Sequence, residues 1–440
     1  MVGGPTEREA AMAASSPALD VQQLSALEIL DSRGNPTLRV SVTLADGTYA
    51  VAGVPSGAST GSREAVELRD GDPARYGGKG VLGAVSNVNG ELKDLLLSRS
   101  WSSLAEMDQA MCDADGTPNK SRLGANALVG VSMAVARALG RTGELFEYLT
   151  PEGVAPRLPV PHFNVLNGGA HAPNTLDFQE FMVAPLGAPS FPEAVRAGAA
   201  VYGKLRGLLR DGGMSTGLGD EGGFAPDITR PEDVLALLVK AIEAAGYTAG
   251  VDGVAIALDP AASEFYRDGA YHVAGETLTS GDMVERYAAM VRDYPVWSIE
   301  DGLAEGDWDG WADLTARLGA TTQIVGDDLF VTNPEIIAEA IARGVGNSAL
   351  IKLNQIGTVT ETLEAMRLCR EGGYTQMVSH RSGETEDSFI ADLTVATGCG
   401  QLKSGAPARG ERVAKYNRLL EIAAGHSLPY GVESRFTGAH

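Results

Sequence analysis

The chain has 440 residues, 44% of them hydrophobic, enough for two or three domains with a large core. Fifty-seven acidic against thirty-five basic side chains give a net charge of −22, which argues against a nucleic-acid partner, since binding phosphates needs a basic footprint. No apolar run approaches the ~18 residues of a membrane span, and the widely spaced Cys112, Cys369 and Cys399 suit a reducing, cytoplasmic setting without a thiol metal site.

Residues 1–20 are small, mixed in charge and aperiodic; lacking a basic start and an apolar core, they read as a disordered extension rather than a signal peptide. From Leu24 the pattern turns to strands. Leu38, Val40, Val42 and Leu44 alternate with Arg39, Ser41 and Thr43, the period of a half-buried strand. Asp46-Gly47 is a hairpin signal, and Asp31 to Pro36 is a tight polar connection, so a three-strand antiparallel meander is expected. The small-residue run Ser56 to Gly61 reads as a loop, and as a mobile lid it would bring a hydroxyl to a ligand. Helical patterns follow over Val81–Ser98, Ser102–Asp113 and Arg122–Leu139, the last rich in small residues that allow close packing. The proline-bearing stretch Pro151 to Pro161 marks a boundary between an N-terminal α+β domain over 21–155 and a second domain over 156–440.

The second domain repeats one grammar, a short apolar run that ends in a charged residue and then a helix. It is clearest in Gln323 to Asn333, where the run stops at Asp327 and Asp328 before a helix capped by Thr332 or Asn333 and opened by Pro334. Other runs end at Asp259, Glu300, Lys352, His380-Arg381 and Lys403; with Asp327 these ends lie 23 to 41 residues apart, mostly one strand plus one helix. That spacing predicts a TIM-type β/α barrel, whose active site is built from the C-terminal ends of its strands. Asp259, Glu300 and Asp327 would then supply hard oxygen ligands suited to magnesium. Lys352, Arg381 and Lys403 would bind an anionic substrate, one lysine acting as a base with a depressed pKa. Glu221, set between glycines, is either a solvated loop residue or a carboxyl placed where backbone can approach a ligand.

With these motifs in view, the chain resembles the enolase family, the phosphopyruvate hydratases, from about Leu27 to Leu420. The resemblance rests on Asp31-Ser-Arg-Gly-Asn-Pro36, Ser56–Gly61, Gly124-Ala-Asn-Ala127, Asn167-Gly-Gly, Gln179-Glu-Phe-Met, Gly219-Asp-Glu-Gly-Gly, Ser298-Ile-Glu-Asp, Gly326-Asp-Asp-Leu, Lys352-Leu-Asn-Gln-Ile-Gly, Ser379-His-Arg-Ser and Lys403-Ser-Gly-Ala-Pro-Ala-Arg. It implies an enolase-like fold and the magnesium-dependent, reversible dehydration of 2-phosphoglycerate to phosphoenolpyruvate. By position it implies Asp259, Glu300 and Asp327 as ligands of one magnesium ion, and Ser59 on a second ion bound with substrate. Lys352 would be the base at C2, and Glu221, assisted by Glu180, the acid at the C3 hydroxyl. Arg381 and Ser382 would hold the phosphate and Lys403 the carboxylate, with His171, Gln179 and His380 completing the pocket. A homodimer or octamer is implied too.

The chain departs from the family's usual pattern at His162-Phe163, at Pro260 and at Gly302, which is expected to loosen the backbone beside Glu300. These departures motivate an alternative: an enolase-like paralogue of phosphonate or phosphinate metabolism, such as a carboxyphosphonoenolpyruvate synthase using a nucleotide-activated phosphonoformate. A non-catalytic binding protein is a third reading, opposed by the presence of Lys352, Glu221, the three acids and Arg381.

Overall fold

The computed structural model describes residues 19–57 and 61–432. The expectation of a disordered extension therefore falls almost wholly outside the described residues, except that Leu19 is buried and bridged to Trp101. Ser59 lies outside them as well.

Strands β1 (Val21–Leu30), β2 (Pro36–Leu44) and β3 (Tyr49–Gly53) form the expected antiparallel meander. Leu38, Val40, Val42 and Leu44 point inward and are buried. Against them lies the Ala125–Leu139 helix, and its small residues decide how closely it sits: a Cβ on Gly130 would meet Val40 Cγ2 at 2.7 Å and Val54 Cγ2 at 2.8 Å. The Asp31 turn is held by its own carboxylate, whose Oδ1 accepts from the Arg33 and Asn35 amides, both at 2.9 Å, and whose Oδ2 accepts from Ser56 Oγ at 2.6 Å. That last bond fixes Ser56, the first residue of the small-residue run.

The second unit is a closed eight-stranded barrel of β4 (Val160–Asn167), β5 (Glu180–Ala184), β6 (Ala255–Asp259), β10 (Val296–Glu300), β11 (Gln323–Gly326), β12 (Ser348–Ile351), β13 (Thr375–Ser379) and β14 (Gln401–Lys403). A small antiparallel sheet, β7 (Tyr266–Arg267), β8 (Ala270–Val273) and β9 (Glu276–Leu278), is inserted between β6 and β10. The uniform strand-then-helix grammar breaks at one place. Strand β5 runs antiparallel to both β4 and β6, whereas the other neighbours are parallel. A parallel return needs a crossover of about a dozen residues or more, usually a helix; the connection before β5 holds only a single 3-10 turn, Gly169–His171, so the chain doubles straight back. As a result the first residue of β5, Glu180, reaches the rim where the other strands end, paired with Asn167 on one side and Asp259 on the other.

Beneath that rim the barrel interior is filled by Gln323, whose Nε2 donates to Ser298 Oγ at 3.1 Å and to Gln401 Oε1 at 2.9 Å, and, in a separate cluster, by Val160, Met182, Ala257 and Trp297. The Pro334–Arg343 helix starts as anticipated: Asn333, not Thr332, is its cap, accepting from the Glu335 amide at 2.9 Å. Thr332 is instead buried, accepting from the Lys352 amide at 2.9 Å and donating to Gln355 at 2.7 Å. No helix among the described residues is long and apolar enough to cross a membrane.

Candidate active site

A small cavity opens at the barrel rim, and His171, Gln179, Glu180, Glu221, Lys352, His380, Arg381, Ser382 and Lys403 all border it. They come from β5, from the ends of β12, β13 and β14, and from the loops holding His171 and Glu221. Each is buried or nearly so, although Glu221 stood in the sequence as equally consistent with a solvated loop. Its carboxylate accepts from Asn164 Nδ2 at 2.8 Å and lies 3.2 Å from His380 Nε2 and 3.7 Å from His171 Nδ1.

The expected acids sit directly behind this cavity, each engaged by a lysine. Lys403 Nζ lies 2.6 Å from Glu300 Oε1, 3.3 Å from Asp259 Oδ2 and 3.4 Å from Glu180 Oε1. Lys352 Nζ donates to Asp327 Oδ2 at 2.5 Å, while Gln355 donates to the other oxygen at 2.9 Å. The groups whose ligand atoms lie within 4.8 Å of one another are His171 with Glu180 and Glu221, and Asp301 with Asp327 and Asp328. Asp301 braces the second group by accepting from the Asp327 and Asp328 amides at 2.9 and 2.8 Å.

So many buried carboxylates cannot all stay ionised. Burial, together with Glu221, pushes Glu180 well above the usual carboxylate range, and burial with Asp259 does the same to Glu300. Burial with Asp328 raises Asp301, and burial with Asp327 carries Asp328 up to about 8. At Asp327 burial is outweighed by Lys352 and then Lys403, which hold it low. Burial drives His380 down to about 3 and lowers His171, so both imidazoles are neutral near pH 7. Lys352 differs from the sequence expectation. Burial works to depress it, but the Asp327 carboxylate at 2.5 Å wins and its pKa is raised. Lys403, held by Glu180, Glu300 and Asp259 against its own burial, is raised further.

A divalent cation fits this arrangement. Around Lys403 three carboxylates face one ammonium, and Glu300 Oε2 is buried with no hydrogen-bond partner among the described residues. Ser382 Oγ and Gln179 Oε1 are likewise buried and unsatisfied at the cavity wall, where a polar ligand would complete them.

Three contributors were not visible in the sequence. Glu64, just past the small-residue loop, ion-pairs with Arg381 at 3.0 Å and takes a bond from Gln355 Nε2 at 3.2 Å. Asn164 orients Glu221; a second polar residue beside His162 inside the mainly apolar Val160–Leu166 run was the available signal. Arg412, fully buried behind His380, looks like any basic residue opening a surface helix. Two of the departures, by contrast, are absorbed by packing. His162 lies in the barrel interior, stacked on Trp297 with centroids 5.5 Å apart. Gly302 is buried, not loosened: a Cβ there would crowd Ile299 at 3.1 Å and Tyr287 at 3.3 Å, and its carbonyl accepts from Tyr287 Oη at 2.8 Å.

Fold and site together define a β/α-barrel protein with one reversed strand, whose rim sets buried carboxylates against lysine and arginine side chains. The family comparisons agree with this geometry: the description "Enolase, N-terminal domain" matches residues 21–149, and "Enolase, C-terminal TIM barrel domain" matches residues 155–438. Enolase of Mycobacterium leprae is 59% identical over 405 residues, 91% of this chain and 94% of the relative. Enolase of Rubrobacter xylanophilus is 58% identical over 399 residues, 90% and 92% of the two chains. The chain belongs to the enolase family.

Proposed function

We infer that the rim residues divide between them the work of one elimination, and that this division is the function of the cavity. The chain is a lyase that reversibly dehydrates 2-phosphoglycerate to phosphoenolpyruvate. The observation that carries the residue assignment is the convergence of nine expected side chains from separate segments on one cavity.

The C2 proton lies next to a carboxylate, so its removal builds a second negative charge on the same group. Lys352 Nζ is the base that takes this proton, and Lys403, buried at the opposite wall, faces the substrate carboxylate where the charge grows. The C3 hydroxyl leaves as water at Glu221, which Asn164 and His380 orient; burial would raise its carboxyl, but the contacts with His380 and His171 hold it well below the usual carboxylate range, so the proton that the water carries away is relayed through it from Glu180. Glu180 is the proton-rich partner of this pair, since burial and Glu221 hold its pKa high. Arg381 and Ser382 take the phosphate; to do so Arg381 exchanges the Glu64 carboxylate for a phosphate oxygen.

Asp259, Glu300 and Asp327 would hold a magnesium ion, which would supply positive charge beside the substrate carboxylate, the solution described generally for enolase-type sites. A second ion, held with the substrate and by Ser59, belongs to the same reading. Were Asp327 to hold such a cation, Lys352 would lose the partner that keeps it protonated. We further place the protein as a cytoplasmic homo-oligomer, which light scattering tests as a solution mass that is a multiple of 45.8 kDa.

The direct test is the ultraviolet absorbance of phosphoenolpyruvate formed from 2-phosphoglycerate with magnesium, beside a Lys352→Ala control. Turnover abolished in the control supports the assignment, and undiminished turnover in it removes Lys352 from the mechanism. No observation favours the phosphonate-using alternative: two of the departures that motivated it, His162 and Gly302, are accounted for by packing, and Pro260 has no structural explanation.

A further inference from the structure

Arg412 opens the Gly410–Gly425 helix and is fully buried, yet it touches none of the atoms that react. Its guanidinium spans three segments of the site. Nη1 lies 2.6 Å from His380 Nδ1 and donates to the Arg381 carbonyl at 2.6 Å. Nη2 donates to the Ser382 carbonyl at 2.5 Å, the Asp220 carbonyl at 3.0 Å and Ser32 Oγ at 3.3 Å. One side chain thus ties the loop before Glu221, the segment that follows β13 and the N-terminal turn.

A guanidinium carries donors only and is never deprotonated in a protein, so at the 2.6 Å contact His380 Nδ1 must be the acceptor. A neutral imidazole has one proton, which is then at Nε2. That nitrogen is buried, borders the cavity and lies 3.2 Å from Glu221 Oε2, with no aligned hydrogen-bond partner among the described residues. We propose that Arg412 is a positioning residue that locks His380 in the Nε2–H tautomer, making His380 a fixed hydrogen-bond donor to oxygen in the cavity and barring it from accepting a proton there. Burial and the Arg412 charge also disfavour the imidazolium, so the donor form persists across the working pH range. The same fork sets the height of the Arg381 and Ser382 backbone, coupling the phosphate pocket to the acid end of the site.

The proposal rests on the site assigned above but not on its turnover, and the test reads the proton directly. The full chain, labelled with [15N]histidine, has six histidines, and the His380 signals are assigned by their loss in His380→Gln. The nitrogen shifts and one-bond couplings distinguish the tautomers. The expected result in the otherwise unaltered protein is a protonated Nε2 and an unprotonated, hydrogen-bonded Nδ1, unchanged between about pH 6 and 9. A protonated Nδ1, or an imidazolium, overturns the proposal whatever the activity. In Arg412→Met, which keeps the stem and removes every donor, the His380 signals should move toward the average of exchanging tautomers; an unchanged Nε2–H signature there would show that Arg412 does not set it. If that variant fails to fold, the first measurement still decides. Without substrate the readout needs no catalysis, so a wrong reaction assignment and a wrong tautomer give different failures.

Discussion

Two regions of the molecule bury charge, and they do it differently. At the seam between the N-terminal domain and the barrel, each ion has a fixed partner: Arg137 forks onto Asp387 at 2.7 Å, Lys120 meets Glu361 at 2.8 Å, and Asp108 accepts from Ser132 Oγ, the Thr360 amide and Thr360 Oγ1 at 2.6 to 3.1 Å. At the rim, Glu180, Asp259 and Glu300 share one lysine, and polar atoms of Glu300, Gln179 and Ser382 are left unsatisfied. Of these seam groups only Asp108 Oδ1 is left without a hydrogen-bond partner among the described residues, and the network holds two domains in place. The rim is a more open one, where the proposed cation and anionic substrate would supply the missing partners.

If that contrast is right, losses at the rim fall on catalysis and losses at the seam fall on stability. The largest effect is expected from Lys352→Ala, which should lower kcat by about 10²–10⁴-fold or more while the thermal midpoint stays near that of the parent. Removing magnesium with a chelator should abolish phosphoenolpyruvate formation, and re-adding it should restore the rate; activity that survives complete chelation would break the open-network reading. At the seam, burial pushes Asp108 up to about 6, against the donors of Thr360 and Ser132. Its folded pKa lies above its unfolded value of 3.8, so its contribution is fully present below pH 3.8 and is lost as pH rises through about 6. The cost at neutral pH is about 3 kcal/mol. Denaturant titrations of Asp108→Asn should therefore show a flatter stability profile over that window, with kcat unchanged. A smaller effect is expected from Gly130→Ala, where the added methyl meets Val40 and Val54 below 3 Å and should lower stability by about 1–3 kcal/mol without touching turnover.

Strand ends were the most legible feature. Asp259, Glu300 and Lys403 end their strands, and Asp327, Lys352 and His380 follow theirs directly, because a buried parallel strand reads as an apolar run with an abrupt polar stop. The reversal of β5 was not legible: Gln179 and Glu180 precede an apolar run, and run polarity does not reveal which way a strand points. Glu64 and Arg412 were hidden for another reason. Their partners lie on loops brought close only by barrel closure, so no local pattern marks them. The raised Lys352 pKa was not legible either, because it is decided by Asp327 at 2.5 Å, a contact between two strand ends that no local spacing shows.

The division of labour between the two ends of the cavity is tested most directly by following exchange of the C2 proton of 2-phosphoglycerate with solvent in Lys352→Ala and Glu221→Gln. The account predicts that Lys352→Ala loses exchange and dehydration together, while Glu221→Gln keeps exchange and loses dehydration. Exchange at the parent rate in Lys352→Ala would contradict the account at its centre.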